Sequence, residues 1–289
     1  MRKLCLLLLS LFLASSLVAA TDAELAAAGK TAFRNADFEK AIELFQQAVA
    51  RKPNVAEYHY LLGGAYGRKA QGASVFGAAG LAKKAKASLE RAVQLDPNYI
   101  DARLALVDYY MIAPGIVGGS EEKAKEQANE IKKRDLMAGH RAWAAIYARQ
   151  KKIDLARKEY VDAVRAQPNS RKAHYFLGRF LMEERNFTGA WQELETALRL
   201  EPAWMPTYLR LGQVAAHSGT NFGRGEEALR KYLAYQPKEN EPGHATAWFS
   251  LGIIQEKQGK KAEARQSFLN AQKLAPGAKD ITDALKRVS

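Results

Sequence analysis

A seven-residue pattern, A-V-x-x-x-P-N, occurs three times in this chain of 289 residues. The copies are AVARKPN at 48–54, AVQLDPN at 92–98 and AVRAQPN at 163–169, and looser copies follow at 197–203 and 271–277. The prolines at 168 and 202 stand 34 residues apart. A pattern that returns at such an interval indicates stacked copies of one small unit, each unable to bury its apolar side alone.

Residues 171–204 show the plan of one unit. A first apolar stripe has the spacing of a helix and consists of Tyr175, Leu177 and Leu181. The segment ERNFTG interrupts it, and a second stripe follows, made of Ala190, Leu194, Ala197, Leu198 and Leu200. Pro202 then ends the second helix. The pattern therefore predicts two helices joined by a short turn, with an apolar core large enough to fold, since hydrophobic residues make up 47% of the chain.

These residues resemble the tetratricopeptide repeat family, whose pattern joins a Leu-Gly pair, a later A-x3-F and a final proline. The matching residues include Leu62-Gly63, Leu177-Gly178, Leu211-Gly212 and Leu251-Gly252, and also Ala41 with Phe45, Ala156 with Tyr160, Ala228 with Tyr232 and Ala264 with Phe268. The resemblance implies an all-α fold, a right-handed superhelical solenoid of antiparallel helix pairs.

We expect a solenoid over residues 21–289, with about seven units and a C-terminal capping helix. The predicted units are 22–55, 56–99, 100–136, 137–170, 171–204, 205–244 and 245–278, and the cap is 279–289. Extra residues near 70–80, 112–120 and 217–225 are expected between the two helices of their pairs, as a local lip or as tolerated loops. The second helix of the third unit fits the pattern only loosely.

Residues 1–20 have the order of a secretory signal peptide, because a short basic start, an apolar run and small residues follow one another. The alternative is an uncleaved membrane anchor, although the run is short for a span. The only cysteine, Cys5, lies in this segment, so the mature chain would carry none. The sequence therefore predicts an exported protein, periplasmic in a bacterium or otherwise secreted.

No motif predicts catalysis, and we expect neither an enzyme nor a cofactor. Ser120 and Lys123 have the S-x-x-K spacing of penicillin-binding proteins, but S-D-N and K-T-G are missing, and Ser120 fits a helix cap better. The glycines at 72, 77 and 80 match no phosphate-binding loop. Three of the five histidines, His59, His140 and His174, fall at a packing position of the repeat, too far apart for one metal ion, so no metal site is expected.

The resemblance implies that positions 2, 5, 9, 12 and 13 of each unit line a concave groove. The candidate contact residues at these positions are Tyr60, Arg68, Arg141, Arg149, Lys172, Tyr175 and Arg179. Arginine can bind carboxylates through paired hydrogen bonds, and tyrosine offers a rigid contact surface. We expect the groove to bind an extended acidic or carboxylate-bearing peptide; the alternative is a solvated basic face. The lysine-asparagine clamp of some cytosolic members is absent.

Function is therefore expected to be that of a non-enzymatic scaffold for protein–protein interaction in the cell envelope. The net charge of +13, or +11 without Arg2 and Lys3, leaves an alternative. The basic face could bind an anionic envelope polymer or a membrane surface, without stable insertion once the signal peptide is removed. Nucleic acid is the poorer partner for an exported chain.

Overall fold

A computed structural model describes residues 20–238 and 241–289, and all the regular structure in these ranges is helical. The α-helices are α1 Asp22–Arg34, α2 Phe38–Arg51, α3 Ala56–Gln71, α4 Val75–Leu95, α5 Ile100–Ile112, α6 Glu121–Arg134, α7 Leu136–Arg149, α8 Ile153–Ala166, α9 Arg171–Glu183, α10 Phe187–Leu200, α11 Pro206–Ser218, α12 Phe222–Leu233, α13 His244–Lys257, α14 Lys261–Leu274 and α15 Lys279–Arg287. A 3-10 turn, Gly115–Val117, follows α5. The predicted all-α helical repeat is confirmed.

The helices form two compact units, one ending at Gly119 and the other beginning at Ser120. We call them the N-terminal unit, with α1 to α5, and the C-terminal unit, with α6 to α15. In each unit, helices that follow one another in the chain pack together. The predicted signal peptide falls almost entirely outside the described residues. Among the helices that are described, none has the length and hydropathy needed to cross a membrane.

Small residues let the two helices of a pair approach closely. The motif alanines Ala48, Ala92, Ala163, Ala197 and Ala271 are at most 1% exposed. On the facing helix, a Cβ placed on Gly178 would lie 2.8 Å from Leu194 Cγ, closer than real Cβ contacts occur. Alanine and glycine therefore stand where larger side chains would force the helices apart.

Four of the five repeat prolines also contribute their carbonyl oxygen to a contact with the next helix. His59 Nε2 lies 2.8 Å from Pro53 O, and His174 Nε2 lies 2.8 Å from Pro168 O. Arg103 Nε donates to Pro97 O at 2.8 Å, and the Tyr208 hydroxyl donates to Pro202 O at 3.0 Å. The residue six positions after each of these four prolines thus closes the corner between units, which gives His59 and His174 a structural role.

Most turns inside a helix pair place a residue in the left-handed region, although the turn between α3 and α4 does not. Gly219 and Gly259 occupy it in two pairs, with φ of 77° and 79°. Ala36, Lys151 and Arg185 occupy it elsewhere, with φ between 59° and 62°. A residue with a Cβ is strained there, so this turn is maintained by the packing of the helices that it joins.

Two of the three predicted insertions differ from what we expected, whereas residues 113–120 do separate the two helices of their pair, α5 and α6. Residues from Val75 onward are helical, and α4 is 21 residues long, because its alanines offset the cost of its glycines. Helix α6 is regular and buries Ala124, Ala128 and Ile131 completely. Only three residues separate α11 from α12, so the extra length of that predicted unit lies after α12, before α13 begins at His244.

Candidate functional site

The seven predicted contact residues fall in two separate places. Tyr60 and Arg68 lie on α3 of the N-terminal unit, and the other five lie on α7 and α9 of the C-terminal unit. The two sets belong to different compact units.

Of the two predicted contact residues in the N-terminal unit, Tyr60 packs against another ring and Arg68 is exposed. The Tyr60 ring lies 5.1 Å from the Tyr99 ring, and burial, with a smaller effect of Asp101, raises the pKa of its hydroxyl. The Arg68 guanidinium lies 5.7 Å from the Phe38 ring centroid. Tyr60 therefore contributes mainly to the core.

In the C-terminal unit, two guanidinium groups lie near one aromatic ring. The Arg141 guanidinium lies 4.1 Å from the Phe176 ring centroid, and that of Arg179 lies 5.8 Å from the same centroid. Both distances are within reach of a cation–π interaction, which holds the flat cation against the ring and leaves its N–H groups at the edge. Helices α7 and α9 thus present two arginines from one surface.

Two adjoining cavities open at this ring. One has a volume of about 160 Å³ and includes Met137, Lys172 and Trp204 in its lining, and the other has about 100 Å³ and includes Tyr160, Arg179 and Glu183. Arg141 and Phe176 line both. Each volume far exceeds the roughly 15 Å³ that one water molecule requires, so a carboxylate or a short side chain can enter.

Cations outnumber carboxylates around these cavities, which are lined by Asp135 and Glu183 and by Arg141, Arg171, Lys172 and Arg179. In the described part of the chain, Arg141 and Lys172 form no ion pair, and Arg179 reaches only Glu183, at 3.5 Å. Arg179 Nε is buried and has no hydrogen-bond acceptor. By contrast, Arg171 is paired with Glu201 at 2.9 Å and lies over the Trp204 ring. A buried donor without an acceptor costs free energy, so this site is suited to an incoming anion.

Burial also affects Tyr160, which lines the smaller cavity. Burial raises the pKa of its hydroxyl, while the positive charges of Arg141 and Arg179 oppose that rise. The phenol therefore stays protonated at neutral pH and can act as a further hydrogen-bond donor beside the arginines.

The structure places Tyr175 in the core instead of on this face. It is 6% exposed, its ring meets Trp204 at 4.4 Å, and its hydroxyl accepts from Arg210 Nε at 3.4 Å. Phe176, the next residue, is the aromatic side chain that lines both cavities, and the repeat positions did not indicate it. Arg149 is exposed at the end of α7 and lines neither cavity. We call Arg141, Lys172, Phe176 and Arg179 the Arg141 face.

Comparison with known proteins identifies the same helical repeat that the sequence predicts. A family model described as "Tetratricopeptide repeat" matches residues 26–97, 141–203 and 209–279. The structure also resembles a tetratricopeptide repeat protein from Parabacteroides merdae, with a TM-score of 0.51 and 16% identity over 92% of this chain and 98% of that one.

Two larger proteins contain a similar fold. A chain of the APC/C hetero-tetramer Cut9-Hcn1 gives a TM-score of 0.55 and 14% identity over 92% of this chain, which spans 48% of that one. Yeast Tom70 gives 0.56 and 16% identity over 87% of this chain, which spans 58% of that one. At these identities the likeness concerns the fold.

Proposed function

The chain belongs to the tetratricopeptide repeat family, and from this premise we propose that it holds an extended acidic segment of a partner protein against the Arg141 face. Proteins of this family serve in general as scaffolds for protein–protein interaction. The proposed mechanism is reversible docking, in which no bond is made or broken.

The observation that carries this proposal is the unsatisfied cationic site beside Phe176. Arg179 Nε is buried without an acceptor, and Arg141 lies against the same ring with no carboxylate partner in the described residues. A carboxylate entering the smaller cavity would accept hydrogen bonds from these groups at low local dielectric, where such bonds are strong. Lys172 and Trp204 beside the larger cavity would contact the neighbouring part of the segment.

The contacts of Ser120 support a structural role over a catalytic one. Its hydroxyl oxygen accepts a hydrogen bond from the backbone nitrogen of Lys123 at 3.3 Å, as the N-cap of α6. Capping engages the oxygen that a nucleophile would use, and it is the usual role of serine at this position. This geometry favours a non-enzymatic function.

We further propose that the protein is exported and works in the cell envelope. The support is the basic start, apolar run and small residues over 1–20, together with the absence of cysteine after Cys5. Protease protection in intact and permeabilised cells, with mass spectrometry of the mature N-terminus, tests this. Cleavage after Ala20 in an exported pool is the expected result, and an uncleaved cytosolic chain contradicts it.

The test of the Arg141 face uses charge removal at matched sites. We expect Arg141→Gln with Arg179→Gln to weaken binding of acidic peptides by tenfold or more, since each charged hydrogen bond contributes about 1.5–3 kcal/mol. Arg165→Gln with Arg199→Gln removes the same charge from exposed positions on α8 and α10 and serves as the control. Fluorescence anisotropy with a peptide library measures both. Equal loss in the two double variants, or no loss in the first, contradicts the proposal.

The competing function is binding of an anionic polymer, which the net charge of +13 favours. Such binding would fall steeply with salt and would not depend on peptide sequence, because it uses the charge of the whole surface. Two measurements at increasing salt separate polymer binding from peptide binding. One is the affinity for polyglutamate, and the other is the affinity for acidic peptides in their original and in scrambled sequence. A sequence preference that survives at 0.3 M salt supports the peptide scaffold.

A further inference from the structure

A short loop of the N-terminal unit exposes apolar side chains to solvent. Residues 113–119, which we call the Ile116 loop, follow α5 and contain the 3-10 turn. Ile116 is 88% exposed, and Ile112, at the end of α5, is 58% exposed. Other large apolar residues in the described part of the chain are less exposed than Ile116.

The loop has a braced backbone, so this exposure is built into the fold. Val117 N and Gly119 N both donate to Pro114 O, at 3.0 and 3.1 Å, and the Tyr109 hydroxyl donates to Val117 O at 2.7 Å. Val117 itself is buried. A Cβ on Gly119 would overlap the carbonyl of Ala113, so the turn accepts only glycine there. Ile116 therefore projects from a defined turn as a knob.

Lysines of α4 lie beside this loop. A Cβ placed on Gly118 would lie 3.2 Å from Lys86 Cδ, and Lys83 stands one turn earlier on the same side of α4. Lys83 is exposed and has no ion pair in the described residues, whereas Lys86 contacts Glu90 at 3.3 Å.

The sequence of these two segments is free of acidic residues. Residues 71–89 contain three lysines, at 83, 84 and 86, and neither Asp nor Glu, and residues 111–119 contain no charged residue. The acidic residues that flank these segments are Glu90, paired with Lys86, Asp108, one turn before Ile112, and Glu121 and Glu122, both paired with Lys125. Exposed aliphatic side chains and lysines therefore share one surface with little negative charge.

We propose that Ile112, Ile116 and the adjacent lysines form a docking surface for an anionic lipid bilayer. A projecting aliphatic side chain can enter the headgroup region, and lysines behind it can reach lipid phosphates. A protein partner would need a pocket for a projecting knob and acidic groups around it, whereas an anionic bilayer offers both without a matching shape. Binding is weak and reversible, because only two side chains enter. This surface is in the N-terminal unit and does not use the Arg141 face.

Vesicle flotation tests the proposal on the full chain. We expect binding to vesicles of 70% phosphatidylcholine and 30% phosphatidylglycerol to exceed binding to vesicles of pure phosphatidylcholine. The double change Ile112→Ser with Ile116→Ser should reduce binding to the anionic vesicles about tenfold. Lys83→Gln with Lys86→Gln should act similarly. The control, Ile153→Ser with Leu155→Ser, removes exposed aliphatics from α8 and should change nothing. Equal binding by the Ile112/Ile116 variant and the wild type, or no preference for anionic vesicles, overturns the proposal.

Site-specific fluorescence gives an independent readout. The chain has one cysteine, so Ile116→Cys in a Cys5→Ser background carries a polarity-sensitive label at a single position. Anionic vesicles should shift its emission to the blue, whereas the label at Ile153→Cys should not respond. A shift produced by a protein fraction and not by vesicles would overturn the lipid assignment and indicate a protein partner. Peptide binding at the Arg141 face should be the same in all these variants.

Discussion

At the scale of residues, Arg179 differs from other arginines of the C-terminal unit. Arg157 donates to both carboxylate oxygens of Glu184, through Nε at 2.7 Å and through a terminal nitrogen, and it also reaches Asp154. Arg179 leaves its Nε buried without an acceptor. The same residue type thus stabilises the fold at one position and costs free energy at the other, as expected where a side chain is retained for binding.

This contrast predicts opposite effects on stability. Arg179→Met keeps the aliphatic stem and removes the unsatisfied donor, so we expect the free energy of unfolding to stay constant or rise by up to about 1 kcal/mol. Arg157→Met should lower it by about 1 kcal/mol, because it breaks a paired contact that is partly open to solvent. Urea denaturation followed by circular dichroism measures both. A clear loss of stability in Arg179→Met would mean that this arginine is structural.

At the scale of elements, helix pairs depend on glycine where backbones touch. A Cβ on Gly139 of α7 would overlap Lys132 Cα and Cβ of α6. By contrast, Gly64 in the middle of α3 has open space where a Cβ would go. Close packing against α6 therefore explains the glycine at position 139, whereas packing does not explain the glycine at position 64.

Alanine substitution separates these two cases. Gly139→Ala should destabilise the C-terminal unit by about 1–3 kcal/mol, because the backbone of α6 has to move. Gly64→Ala should stabilise by roughly 0.5–1 kcal/mol through helix propensity alone. Thermal unfolding followed at 222 nm compares the two variants. A lower melting temperature for Gly64→Ala would show that α3 has a close neighbour at that position.

At the scale of the whole molecule, tyrosines make stability depend on alkaline pH. The hydrogen bond from Tyr58 to Asp22, at 2.6 Å, raises the pKa of Tyr58 to about 12, and burial raises that of Tyr232 to about 12. Burial also raises the pKa of Tyr99. The folded state therefore favours the protonated phenol. The contribution of these tyrosines to stability is complete below the pKa of about 10 that they have in the unfolded chain. It is lost as pH rises toward their higher pKa in the folded state.

We accordingly expect stability to be level from neutral pH to about pH 10 and to fall between about pH 10 and 12. Absorbance at 295 nm, which reports tyrosinate, should rise together with the loss of helical signal. Tyr58→Phe should reduce the loss of stability between pH 10 and 12. Ionisation of all twelve tyrosines near pH 10 with the helices intact would contradict the expected coupling.

The groove positions show how far the repeat pattern predicts a binding face. Position 5 of successive predicted units is Arg141 and Tyr175, and the pattern treats them alike. Arg141 lines both cavities, but Tyr175 is covered by Trp204 and Arg210, which lie far along the chain. Phe176 carried no signal in the sequence, because an aromatic residue beside a helix stripe is most often part of the core.

What the sequence determined by itself is the fold class, because apolar spacing, small residues and prolines act locally and return in every unit. Ala48 and Ala197 are buried as that spacing requires. The tertiary structure alone decided which side chains face solvent and which charges lack partners. Exposure of Ile116 and the unsatisfied Nε of Arg179 depend on neighbours distant in sequence, and burial and ion pairing are properties of the packed surroundings rather than of residue type.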